Sequence, residues 1–138
     1  MNKNSNKLIS LLQTLDRSQQ RSALQFLQSP YFNRSQDLTT LFGELTERLE
    51  KDKSLQKELL WKTIWGKKPF NDTRFRKFCS DLYKLLEHFL SIEELQHQPF
   101  LKTSLYLKAM NRQRPARTID GIDRNWDSHL APNDHQRV

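Results

Sequence analysis

Residues 69–95 read PFNDTRFRKFCSDLYKLLEHFLSIEEL, and this stretch decides the fold. Within it Phe75, Phe78, Leu82, Leu85, Phe89 and Ile92 recur at alternating spacings of three and four, the period of one helical face. Cys79, Leu86 and Leu90 widen that stripe. Asn71 or Asp72 can cap the first turn, because a short side-chain oxygen accepts from backbone amides that have no helical partner there. The spacing predicts a helix over about residues 72–96, roughly 37 Å long at 1.5 Å per residue, with Phe78, Leu82, Leu85 and Phe89 nearly inaccessible. A helix of that length and apolar width needs other helices to cover it. Its opposite face carries Thr73, Arg74, Lys77, Ser80, Asp81, Lys84 and His88, a polar row with a basic bias near the helix start.

Upstream, Leu8, Ile9, Leu11, Leu12 and Leu15 mark a first helix that Ser5 or Asn6 can cap. Asp16 or Ser18 opens a second, with Ala23, Leu24, Phe26 and Leu27 facing inward and Pro30 ending it. Ser29-Pro30-Tyr31-Phe32-Asn33 places two aromatics in a connection, where both are expected to plug the core. Asn33 with Gln36 resembles a capping box for a third helix, whose inward residues are Leu38, Leu41, Phe42, Leu45 and Leu49. Gly43 within it costs up to about 1 kcal/mol relative to alanine and suggests a close helix crossing. Ser54 is placed to cap a fourth helix, Leu55 to Trp65, that ends at Gly66. Beyond the central helix, Pro99 suits the first turn of a sixth, with Phe100, Leu101, Leu105, Tyr106, Ala109 and Met110 on its apolar side.

The chain thus reads as all-α, a compact bundle of about six helices around the long central one, over residues 1–110. Scarce glycine and the lack of short alternating β-branched runs argue against a sandwich or barrel. Residues 111–138 form a polar tail of different composition. Every lysine lies at or before Lys108, whereas Arg112, Arg114, Arg117, Arg124 and Arg137 crowd the end. Pro115, Gly121 and Pro132 with only scattered Ile119, Ile122, Trp126 and Leu130 suggest a disordered or loosely docked segment. A chain truncated or frame-shifted after the sixth helix would have this composition, and so would a natural charged tail.

A chain of 138 residues, 36% hydrophobic and 28% charged, has the size and balance of one soluble domain. Its net charge of +7 permits nucleic acid, an anionic membrane or acidic proteins as partners. The polar N-terminus and the few apolar residues after it offer neither a signal sequence nor a membrane span. Cys79 is the only cysteine, so no internal disulfide forms, and a reducing cytoplasm fits best.

The residue types that catalysis needs do not converge. His88 and His97 fall on different sides of a helix end, and His129 and His135 lie in the tail with Asp127 and Asp134, without the tight paired spacing of a zinc site. Glu93-Glu94, and Glu47 with Glu50, read as exposed helix charges rather than paired general acids. No phosphate-cradling glycine loop is present. The reading is therefore non-enzymatic, with no catalytic residues, cofactor or metal.

Ser29-Pro30-Tyr31-Phe32-Asn33, then Phe70-Asn71-Asp72 followed by Arg76, Ser80-Asp81-Leu82-Tyr83-Lys84-Leu85-Leu86-Glu87 and Phe89-Leu90, resemble the N-terminal region of a family of uncharacterised helical bacterial proteins over residues 7–110. The resemblance supplies no activity and no site residues. It implies relatives that continue as further helices, a pattern this chain leaves after Arg112. A looser similarity is to the helix-loop-recognition-helix part of winged-helix response regulators, in the helix ending Trp65-Gly66 and the basic helix after it. The β-hairpin wing those domains carry is missing, since residues 91–110 read as helix, break and helix.

Two functions follow. A protein-interaction or scaffold module would use Trp61 and Trp65, because the fourth helix has more apolar residues than one stripe can bury, leaving a tryptophan at a rim or interface. Tyr31 and Phe32 could join them, although core positions suit those two better. The alternative is a nucleic-acid-binding, winged-helix-like domain using Lys67, Lys68, Arg74, Arg76, Lys77 and Lys84. Clustered cations on one exposed face would favour the second, and an exposed apolar patch the first.

Overall fold

The computed structural model describes the backbone of residues 3–113 and the side chains of residues 6–113. All regular structure among them is helical: α1 (Lys3–Thr14), α2 (Arg17–Leu27), α3 (Gln36–Glu50), α4 (Lys57–Trp65), α5 (Asp72–Leu95) and α6 (Pro99–Gln113). The protein is an all-α helical bundle protein, as the apolar periods predict. The tail expected from residue 111 begins inside α6, and residues 114–138 lie outside the described residues. The chain divides into two compact units, Met1–Glu93 and Glu94–Val138, so α6 belongs to the second although the sequence groups it with the others.

In the first unit α3 is the hub by backbone proximity, lying against α1, α2 and α4. The core combines Leu8, Leu12 and Leu15 of α1 and its end with Ala23 and Leu27 of α2, Leu38, Leu41, Phe42 and Leu45 of α3, and Leu60 and Trp61 of α4. From α5 it takes Phe75, Cys79, Leu82, Leu86 and Phe89. Leu82 and Phe89 are buried as the spacing predicts, but Phe78 and Leu85 are only half-buried. The buried line has rotated toward Phe75, Cys79 and Leu86. A stripe as wide as that of α5 has two flanks, and only packing selects which lies under the neighbours.

Side-chain hydrogen bonds fix the connections. Asp16 opens α2 with a full capping box, its carboxylate accepting from the Gln19 amide at 2.8 Å while Gln19 Oε1 accepts from the Asp16 amide at 3.1 Å. The α3 cap is Ser35 rather than the expected Asn33, and α1 starts before both of its expected caps. Asn33 instead turns its Nδ2 inward and donates to the carbonyls of Leu27 at 2.9 Å and Ser35 at 3.1 Å. Ser54 does not cap α4, which starts two residues later than expected at Lys57 with no side-chain cap. Arg48, largely covered, does the joining there: it pairs with Glu44 at 2.8 Å and donates to the Ser54 carbonyl at 2.9 Å and Thr63 Oγ1 at 3.1 Å. Gly43 marks no close crossing, because a Cβ built on it would meet nothing within 4 Å.

Asn71 caps α5, its Oδ1 accepting from the Arg74 amide at 3.1 Å and its carbonyl from the Phe75 amide at 2.9 Å. In the helix that follows, Phe75 lies in the core, and Arg74, Lys77 and Lys84 are exposed.

Candidate interaction surfaces

The six cations named from sequence do not form one surface. Arg74, Lys77 and Lys84 follow each other at three and seven residues along the exposed side of α5. Arg76 is two residues from Arg74, hence roughly 160° around the helix, and lies on the other flank. There its Nε pairs with Asp72 at 3.1 Å. The same carboxylate takes Lys57 Nζ at 2.7 Å, and this hydrogen-bonded ammonium holds the Asp72 carboxyl below the usual aspartate range against the opposing effect of burial, with Arg76 adding a lesser contribution.

Within the row, Lys77 is paired with Asp81 at 3.2 Å. Arg74 lies over the Phe78 ring, its guanidinium carbon 5.8 Å from the centroid, a cation–π contact that holds it flat on the helix. Lys67, Lys68 and Lys84 are exposed, and no carboxylate lies within ion-pair distance of them among the described residues. The row on α5 is thus one open lysine, one paired lysine and one stacked arginine, interrupted by Asp81, while Lys67 and Lys68 lie open in the connection before the helix.

The tryptophans hold the first unit together. Trp61 is 3% exposed, and its Nε1 donates to the Lys68 carbonyl at 2.8 Å, which ties α4 to the connection ahead of α5. Trp65 is half-buried, 4.5 Å from the Trp61 ring and stacked on Phe78 at 4.7 Å. The excess of apolar residues on α4 is therefore absorbed mainly by an aromatic wall of Trp61, Trp65, Phe70 and Phe78. Trp61 has no surface to offer a partner.

The two aromatics of the α2–α3 connection part ways. Phe32 is half-buried, stacking on Phe26 at 4.5 Å and meeting the exposed His88 edge-on at 5.3 Å, so it lies at the rim of the core rather than plugging it. Tyr31 is 88% exposed, contrary to the expectation that both would be core. A tight turn, with the Phe32 and Asn33 amides both donating to the Ser29 carbonyl, can send only one of two neighbouring side chains inward.

The largest exposed apolar surface within one helix is on α6. Phe100, Leu101, Leu105, Tyr106 and Leu107 are all exposed, Phe100 by 91%, and no residue of the helix is buried. Sequence reading assigned α6 an apolar side but did not single it out as a site. The signal was present: Leu107 lies off the predicted side, so apolar residues occupy most of the circumference, a pattern suited to a helix covered on several sides.

No group of three or more His, Cys, Asp and Glu residues that could hold a metal ion occurs among the described residues, and no described helix is long and apolar enough to cross a membrane. The grooves on the first unit are open. One runs between α1 and α5 along Lys7, Ser10, Leu11 and Tyr83. No protein-family model matches the chain, and comparison with curated proteins and with solved structures finds no similar protein.

Proposed function

We propose that this chain is a non-enzymatic helical module of the cytoplasm that binds another protein through α6. The observation that carries the reading is the exposure of Phe100, Leu101, Leu105, Tyr106 and Leu107 on one helix. Exposed apolar area of this kind is costly in water and is characteristic of surfaces that a partner covers. The buried thiol of Cys79, which as the sole cysteine cannot close an internal disulfide, supports a reducing compartment.

The test is photo-cross-linking in the cells of origin, with a benzophenone amino acid placed at position 106 or, for comparison, at position 84. A discrete protein adduct from position 106 that Leu105→Asp abolishes is the expected result. Adducts to nucleic acid from position 84, with none from position 106, would overturn it.

Nucleic-acid binding is the second reading, supported by the exposed Lys67, Lys68 and Lys84, which have no carboxylate partner among the described residues, and by the exposed Arg74. It ranks second because Asp72 and Asp81 neutralise Arg76 and Lys77.

A further inference from the structure

The charges of α6 are sorted along its length. Leu101, Leu105, Lys108 and Arg112 follow one another at spacings of four, three and four, so they form a single line down the helix. The line starts apolar and ends cationic. Lys102 is the third cation of α6, and the helix has no acidic residue.

We propose that this line docks a helix of a partner protein laid antiparallel, with Asp or Glu in its first turn opposite Lys108 and Arg112 and apolar residues after them opposite Leu101 and Leu105. This rests on the reading of α6 as a protein-binding element and specifies what it binds. The antiparallel sense follows from the helix dipoles. Cations near the C-terminus of α6 and anions in the first turn of the partner each complement their own helix, whereas a parallel partner would need its acids at its own C-terminal end, where they oppose the dipole.

A second copy of the chain does not fit the line. Laid antiparallel, each copy would press Lys108 and Arg112 onto Leu101 and Leu105 of the other, covering cations with no counter-charge. Laid parallel, cation would face cation. An anionic lipid surface would attract Lys102, Lys108 and Arg112 whatever their order, so it makes no use of the sorting.

Two labelled helical peptides of identical composition test the proposal by fluorescence anisotropy against the full chain. One has glutamates in its first turn followed by leucines four apart, and the other has the same sequence reversed. The peptide with the acidic first turn should bind about tenfold more tightly, with an affinity that falls as salt rises. The double variant Lys108→Glu, Arg112→Glu should lose the preference, and Leu105→Asp, at an exposed position, should abolish binding of both peptides without lowering the melting temperature.

Equal affinity for the two peptides, or a preference that survives the double variant, would overturn the proposal. So would tighter association with phosphatidylglycerol vesicles than with either peptide. Binding seen only when Asp120→Lys, Asp123→Lys and Asp127→Lys are introduced would also overturn it, by showing that the chain's own acids compete for α6. A position-106 adduct without any peptide preference would leave the protein-binding reading intact and remove this partner.

Discussion

Asn33 and Thr39 converge on one carbonyl: Asn33 Nδ2 donates to the oxygen of Leu27 at 2.9 Å, Thr39 Oγ1 donates to the same oxygen at 3.3 Å, and the two side chains are themselves 3.3 Å apart. Leu27 is the last residue of α2 and Thr39 lies in the first turns of α3, so the contact closes the connection that presents Tyr31. Asn33→Ala removes bonds to two carbonyls and should lower stability by about 1–3 kcal/mol. Asn33→Asp should be at least as damaging at neutral pH, since a carboxylate would face carbonyl oxygens it cannot donate to. Urea unfolding of the three proteins checks both.

Leu85 and Leu86 are neighbours that separate flank from core. Leu86 is fully buried and Leu85 half-buried. Leu86→Ala should cost about 2–5 kcal/mol, because a cavity remains beneath it, while Leu85→Ala should cost less than half as much. Equal losses in chemical denaturation would mean that the phase of α5 is wrong.

Gly43 offers a gain. It is an exposed helical position with room for a methyl group, so Gly43→Ala should raise stability by about 0.5–1 kcal/mol through a less flexible unfolded chain. A rise in the melting midpoint is expected. A fall would reveal a packing role for the glycine.

Asp72 should make stability pH-dependent. Its carboxyl is held below the ordinary aspartate value of 3.8 in the folded protein, chiefly by the Lys57 hydrogen bond. The folded state therefore favours the ionised form, and the resulting stabilisation is present above the unfolded value and is lost as pH falls through the folded one. Glu47, lowered by Lys51, acts in the same direction. Melting temperatures followed from neutral pH to strong acid should fall more steeply in the wild type than in Asp72→Asn, with the two curves converging at the acid end. Parallel curves would show that the Lys57 pair does not persist in solution.

The basic row can be tested by its own geometry. Random duplex DNA should bind weakly, with a dissociation constant of about 10⁻⁴ to 10⁻⁶ M near physiological salt. Lys67→Glu with Lys84→Glu should reduce that affinity more than Arg76→Glu, because Arg76 points to the other flank and is already paired. Anisotropy titrations at two salt concentrations decide it. Tight binding that the lysine reversals abolish would place nucleic acid ahead of a protein partner.

All six helices, and their order, could be read from periodicity, because backbone phase alone puts residues three and four apart on one face. The Asp16 and Asn71 caps were legible for the same local reason. Asn33 was read as a helix cap, yet its amide reaches a carbonyl six residues back that the preceding turn brings into range. Of the functional candidates, Arg74, Lys77 and Lys84 could be placed on one face from spacing, but their pairing with or distance from carboxylates could not.

Sequence by itself thus determined what the chain becomes locally: the helices, their approximate extents, and the approximate width of each apolar stripe, but not the caps of α1, α3 and α4. Tertiary structure alone decided which flank of α5 is covered, that Trp61 is core while Tyr31 faces water, and that the apolar residues of α6 are exposed. The physical reason is range. Helix phase and capping are set within four residues, whereas burial depends on which other helix occupies the space beside a side chain, and that neighbour is tens of residues away along the chain.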